Sequence, residues 1–87
     1  MPQEQAVTSA AAVERAIAEA TAEALGVPGV GRDDNLLELG VDSLAGARIV
    51  GRLRNGLGLD IPLLALFENP VVADLAEEIL ALAEQAG

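Results

Sequence analysis

The stretch LGVDSLAGARIVGRLRNGLG, residues 39–58, decides the fold because it places a turn, a helix start and a complete helix in one run. A glycine favours a turn just before Asp42 and Ser43, and both of these residues are typical helix caps. Apolar residues then recur at helical spacing. They are Leu44, Ala47, Ile49, Val50, Leu53 and Leu57. The pattern predicts a helix over residues 43–57, which the closing glycines of the stretch would end.

Two longer helices are predicted on either side of this one, together with a short helix over residues 63–67. The first covers residues 10–25, with one apolar face formed by Val13, Ile17, Ala20 and Ala24. Asn69 as a cap and Pro70 at the first helical position predict the start of the last helix, over residues 70–84. Its inward-facing residues are expected to be Val72, Leu75, Ala76, Ile79 and Leu82.

The first two main helices are separated by a long loop, residues 26–42. Its apolar residues predict one helical turn against the core, and they are Leu36, Leu37 and Leu39. A loop of this length in a small domain usually carries function or has structure of its own. The chain of 87 residues suffices for one domain. We therefore expect an all-α, small four-helix bundle over residues 10–85, preceded by a flexible tail over residues 1–9.

The composition narrows the class of protein. Seventeen alanines and fourteen leucines favour helices, and the net charge of −9 disfavours nucleic acid and anionic membranes as partners. The chain has no cysteine, no apolar run of membrane-spanning length and no secretory signal pattern. We expect a cytoplasmic protein, and a monomer, because no apolar face is left over after the helices pack.

Catalysis and metal binding by the chain itself are not expected. It has no histidine, cysteine or lysine, so neither a Ser-His-Asp nor a Ser-Lys arrangement can form. The acids of residues 33–42 invite a calcium interpretation. A calcium loop beginning at Asp33 needs an oxygen ligand and a glycine at its fifth and sixth positions, which hold Leu37 and Glu38. We expect no metal site and no enzyme.

Ser43 allows two interpretations. It could cap the second helix. Alternatively Asp42 caps, and the Ser43 hydroxyl is then free beside a helix N-terminus that favours an anion such as a phosphate ester. Arg48 and Arg52 share another face of the second helix. Arg54 lies on the same helix but on a different face. They are either solvated side chains or a concentration of positive charge that forms a docking surface.

Residues 34–79 resemble the phosphopantetheine-dependent carrier proteins, which are the acyl and peptidyl carriers of fatty-acid, polyketide and nonribosomal peptide synthesis. The core signature is LGVDSL, residues 39–44. Its supports are Asp34, Asn35, Ile61, Pro62, Leu66, Phe67, Glu68 and Pro70. The resemblance implies that a phosphopantetheinyl transferase attaches 4′-phosphopantetheine from coenzyme A to Ser43. Acyl or aminoacyl groups would then be carried as thioesters, with Asp42 capping the helix and Leu44 contacting partners.

The resemblance also implies a set of partner enzymes. An adenylation or acyltransferase enzyme would load the carrier, and condensation, ketosynthase, tailoring or thioesterase enzymes would use the cargo. The residues expected to dock partners are Val41, Leu44, Ala47, Arg48, Arg52 and Phe67. The stretch LFENPVVADLAEEI is most similar to peptidyl carriers, whereas Val41 within LGVDSL is closer to polyketide carriers. We favour a peptidyl carrier of secondary metabolism. A polyketide carrier is the first alternative, and an unmodified helical interaction module with Ser43 as a cap is the second.

Overall fold

The computed structural model describes residues 9–86, and within them the chain forms four α-helices. These are α1 (Ala10–Leu25), α2 (Ser43–Leu57), α3 (Leu63–Glu68) and α4 (Val72–Ala86). The predicted all-α bundle of three main helices and one short helix is confirmed. Residues 1–8 of the predicted tail lie outside the described residues. No helix in the described part of the chain combines the length and apolar character that a membrane crossing requires.

The ends of α1 and α2 follow from local capping. Ser9, which the sequence placed in the tail, is instead the N-cap of α1 and accepts a hydrogen bond from the Ala12 N–H at 3.3 Å. Both helices end at a glycine in the left-handed conformation, Gly26 with φ 71° and Gly58 with φ 69°. A glycine meets little steric resistance at positive φ, so these positions stop the helices. Gly56, expected to help end α2, lies inside it.

The start of α4 corrects the sequence prediction, because Asn69 ends α3 instead of capping α4. Both its main-chain N–H, at 3.0 Å, and its side-chain amide, at 3.1 Å, donate to the carbonyl of Ala65. Pro70 is outside the helices, and α4 begins at Val72. The Asn-Pro pair is a helix stop here, because the asparagine side chain turns back toward α3.

The loop between α1 and α2 supplies the cap that Asn69 does not provide. The first N–H groups of a helix lack partners within that helix. In α4 the Val72 N–H donates to the Asp34 carbonyl at 3.0 Å, and the Ala73 N–H donates to the Arg32 carbonyl at 2.9 Å. These bonds fasten residues 32–34 of the loop to the start of α4.

A two-pronged ion pair fastens the same loop to α1. The Arg32 guanidinium donates to both carboxylate oxygens of Glu14, at 3.0 and 3.1 Å. These hydrogen bonds and the charge of Glu14 raise the pKa of Arg32. The long loop is therefore held at both α1 and α4.

The core lies between α1, α2 and α4 and includes residues from the loop. Its fully buried side chains include Val13, Ile17, Leu36, Ile49, Ile61, Leu66, Val72, Leu75, Ala76 and Ile79. The inward faces predicted for α1 and α4 are largely confirmed, although Ala24 and Leu82 are only half-buried. Burial of each large side chain contributes about 1.5–3 kcal/mol before conformational entropy is counted.

One polar side chain in the core suggests a stabilising substitution. Thr21 is fully buried, and its hydroxyl has no hydrogen-bond partner within residues 9–86. Because an unsatisfied buried hydroxyl is destabilising, we expect Thr21→Val to raise the free energy of unfolding by about 1 kcal/mol. The melting temperature should rise by roughly 4–8 °C. Thr21→Ser keeps the hydroxyl and should not stabilise. A less stable valine variant would show that the hydroxyl is satisfied.

Candidate functional site

The N-terminus of α2 settles which residue caps the helix. Asp42 has the extended backbone of an N-cap, and its Oδ1 accepts from the Ala45 N–H at 2.9 Å. Its main-chain carbonyl accepts from the Gly46 N–H at 2.7 Å. Ser43 is the first helical residue and is exposed to solvent. The cap is complete without the Ser43 hydroxyl, which leaves that hydroxyl available for chemistry.

The electrostatics at Ser43 suit a phosphate group. The N–H groups of Ser43 and Leu44 have no hydrogen-bond partner among the described residues. These N–H groups and the helix macrodipole place positive potential at the start of α2. A phosphodiester on the Ser43 oxygen would be stabilised there, because helix N-termini bind such anions.

The turn before Ser43 places the site at the surface. Gly40 has φ 106°, a conformation that other residues rarely adopt, and its N–H donates to the Leu37 carbonyl at 3.2 Å. The next residue, Val41, donates to the Leu36 carbonyl and is only 5% exposed. Its side chain therefore packs in the core, and the sequence prediction that Val41 contacts partners is corrected. The chain passes from this buried anchor to the exposed serine in two residues.

Exposed leucines are the apolar groups that the described structure offers to a partner. Leu44 is 66% exposed and Leu64 is 61% exposed. Leu37 and Leu39 are also exposed, although the sequence placed both against the core with Leu36. Leu64, on α3, was missed, because a six-residue helix gives too short a pattern to separate its inner and outer faces.

The arginines of α2 differ from one another in their contacts. Arg52 forms an ion pair with Glu23 of α1. Arg54 donates to the Ile61 carbonyl at 2.8 Å and so holds the connection to α3. Arg48 is exposed and has neither an ion pair nor a side-chain hydrogen bond to another residue in the described range. The charge of Arg52 is thus paired with an acid of α1, Arg54 bonds a neutral carbonyl, and Arg48 has no contact of either kind among the described residues.

A shallow groove lies beside Arg48 on the outer surface of α1 and α2. Its volume is about 420 Å³. The lining residues are Glu23, Ala24, Ala47, Arg48, Gly51, Arg52 and Asn55. Three of the predicted docking residues, Ala47, Arg48 and Arg52, are thus brought together on one surface.

Phe67, the remaining predicted docking residue, is half-buried and packs α3 against α2. A Cβ atom at Gly46 would lie 3.2 Å from the Phe67 ring and 3.3 Å from the Leu63 side chain. The absence of a side chain at Gly46 lets α3 approach α2 one turn after Ser43. Phe67 therefore stabilises the surface beside the serine and presents only part of its ring to solvent.

A capped helix that presents an exposed serine from a small helical bundle is the arrangement that the sequence resemblance implied for a carrier-protein domain. The family described as phosphopantetheine attachment site matches residues 15–79, and the chain belongs to that family. One of the linear gramicidin synthase proteins of Brevibacillus parabrevis is 45% identical over 74 residues, which are 85% of this chain and 2% of that protein. The chain thus spans a very small part of this curated relative.

Solved structures share the fold. One described as a nonribosomal PCP domain is 36% identical, with a TM-score of 0.68 over 88% of this chain and 90% of that one. Another is a peptidyl carrier protein in complex with coenzyme A and the phosphopantetheine transferase Sfp. It is 29% identical, with a TM-score of 0.73 over 79% of this chain and 90% of that one. The predicted carrier family, its fold and its 4′-phosphopantetheine cofactor are confirmed.

Proposed function

We propose that Ser43 is the attachment residue and that the chain carries aminoacyl or acyl groups without catalysing their chemistry. The observation that carries this proposal is the division of roles at the start of α2. Asp42 completes the cap, while the adjacent Ser43 hydroxyl is exposed and beside unpaired N–H groups. The chain contains only one other serine, Ser9, which caps α1.

The residues around Ser43 fit the phosphate end of 4′-phosphopantetheine. Loading would join the serine oxygen to the phosphorus of coenzyme A that bears the pantetheine. The pyrophosphate bond would break, adenosine 3′,5′-bisphosphate would leave, and the serine proton would pass to a base of the transferase. The attached group would supply a thiol, which this cysteine-free chain lacks, for thioester formation. The role of the chain is to expose the oxygen and stabilise the phosphodiester.

Within the carrier class we propose a peptidyl carrier of nonribosomal peptide synthesis. The gramicidin synthase relative and the nonribosomal carrier structure support this assignment, and the stretch LFENPVVADLAEEI agrees with it. A tethered cargo reaches a high effective concentration at each enzyme that the carrier meets. Contacts with an adenylation enzyme, a condensation enzyme or a thioesterase should be small, because each must release the carrier.

The experiment that tests the function is intact-mass spectrometry after incubation with coenzyme A and a promiscuous phosphopantetheinyl transferase. We expect a gain of one phosphopantetheine, and fragmentation should place it on Ser43. No gain with an active transferase and a folded chain would favour the unmodified interaction module. In that case Ser43 would be only the first residue of α2.

We further propose that Leu44, Ala47 and Arg48 form the docking surface beside Ser43. Leu44 offers apolar area, and Arg48 offers a positive charge that no described residue neutralises. On a chain with a net charge of −9, such a group favours an acidic patch on the partner.

Reversing the charge of Arg48 should therefore weaken docking. We expect Arg48→Glu to lower kcat/KM for transfer to Ser43 by roughly three- to tenfold at low salt, with a smaller effect at high salt. Arg15→Glu on α1 makes the same change in net charge and should have little effect. Transfer kinetics at two salt concentrations measure both variants. Equal effects of the two substitutions would assign the loss to net charge and contradict a local docking role.

A further inference from the structure

Asn35 lies where the loop meets the start of α4. Its backbone pairs with Val71 in an isolated antiparallel bridge. The next N–H, that of Leu36, donates to the Pro70 carbonyl at 2.7 Å. The hydrogen bond from Val72 to Asp34, described above, fixes the preceding residue. The backbone of Asn35 is therefore held on both sides by the α3–α4 junction.

The side chain of Asn35 bonds to the residues that follow it in the loop, and it organises the turn that leads to Ser43. Its Oδ1 accepts from the Leu37 N–H at 2.9 Å and from the Glu38 N–H at 3.1 Å. Its main-chain carbonyl accepts from the Leu39 N–H at 3.1 Å. One residue thus accepts three of the hydrogen bonds that define the turn, in the manner of a helix cap.

The turn that Asn35 organises ends at the serine. The Val41 N–H donates to the Leu36 carbonyl at 3.1 Å, and the side chains of both residues are buried. Asp42 and Ser43 follow directly. The core anchors the two ends of the turn, while Asn35 fixes the path between them. The direction in which the chain enters α2 depends on this path.

We propose that Asn35 is a positioning residue for Ser43, coupling the α3–α4 junction to the angle at which the serine is presented. This inference rests on the proposed function of Ser43. The asparagine acts through the turn and Asp42, and it does not contact the reacting atoms. Loss of its Oδ1 leaves two N–H groups of the turn without an acceptor in the described structure, so the start of α2 becomes more mobile.

The first test follows amide hydrogen exchange in the unmodified chain. Asn35→Ala should speed exchange at Ala45 and Gly46, whose N–H groups donate to Asp42, by roughly five- to tenfold. Asn35→Asp keeps the acceptor oxygen and should restore slow exchange. Ser9→Ala also removes one cap, but at the start of α1, and should leave these amides unchanged. Unchanged exchange at Ala45 and Gly46 in Asn35→Ala would overturn the proposal.

The second test measures transfer from coenzyme A by a promiscuous phosphopantetheinyl transferase. Asn35→Ala should lower kcat/KM by roughly fivefold, mainly through a higher KM for the carrier, and Asn35→Asp should restore it within twofold. An equal loss in Ser9→Ala would reduce the role of Asn35 to general stability and overturn the proposal. If even the wild-type chain is not loaded, the proposed function fails. The exchange result at Ala45 and Gly46 then decides separately whether Asn35 positions the start of α2.

Discussion

Replacing Ser43 by alanine is expected to abolish the gain of phosphopantetheine completely while leaving the fold unchanged. Transfer requires the serine oxygen, and an alanine offers no nucleophile. The fold does not require that oxygen, because Asp42 supplies the cap of α2 and Ser43 is exposed. Alanine is also well tolerated in helices, so the free energy of unfolding should change by less than about 0.5 kcal/mol. Intact mass and thermal unfolding measure the two quantities.

The other serine provides the matched control. Ser9→Ala removes the cap of α1 and should lower the free energy of unfolding by about 0.5–2 kcal/mol, yet loading should be complete. Ser43→Ala is thus expected to lose modification and keep its stability, whereas Ser9→Ala is expected to lose stability and keep its modification. Continued loading of the Ser43→Ala variant would contradict the assigned attachment residue. A large loss of stability in that variant would instead support Ser43 as a structural cap.

The parts of the fold that the sequence predicts are those whose causes are local. Helical spacing placed α1 and α2 at their observed bounds, because a repeated apolar face and a nearby glycine act within a few residues. The resemblance carried by LGVDSL pointed to Ser43 as the candidate site, and in the structure a turn, a cap and an exposed serine lie next to one another there. The turn that leads to this site, however, is held by Pro70 and Val71, which are distant from it in sequence.

The parts that sequence could not predict depend on contacts between distant segments. Asn69 and Pro70 have the local pattern of a helix start, but carbonyls from residues 32–34 provide the actual cap of α4. The ion pair of Arg52 with Glu23 likewise joins two helices that are far apart in the chain. Local patterns contain no information about which segment will lie alongside another, so each of these contacts becomes visible only in the structure.

Leu36→Ala is expected to be the most destabilising substitution in the loop. Leu36 is fully buried in the core, and its main chain bonds to both Pro70 and Val41. Removing most of such a side chain leaves a cavity and lowers the free energy of unfolding by about 2–5 kcal/mol. A domain of this size has a total of only about 4–13 kcal/mol. The melting temperature should therefore fall by roughly 10–30 °C, as measured by circular dichroism.

Leu37→Ala is the matched control, because it deletes the same atoms one residue further along the chain. Leu37 is 41% exposed, and its N–H keeps the Asn35 acceptor in the variant. We expect a change in unfolding free energy below about 1 kcal/mol. If Leu37 also meets partner enzymes, this variant should be stable but more slowly loaded, whereas Leu36→Ala should lose stability first. Equal destabilisation by the two substitutions would contradict the assignment of Leu36 as the anchor that joins the loop to the core.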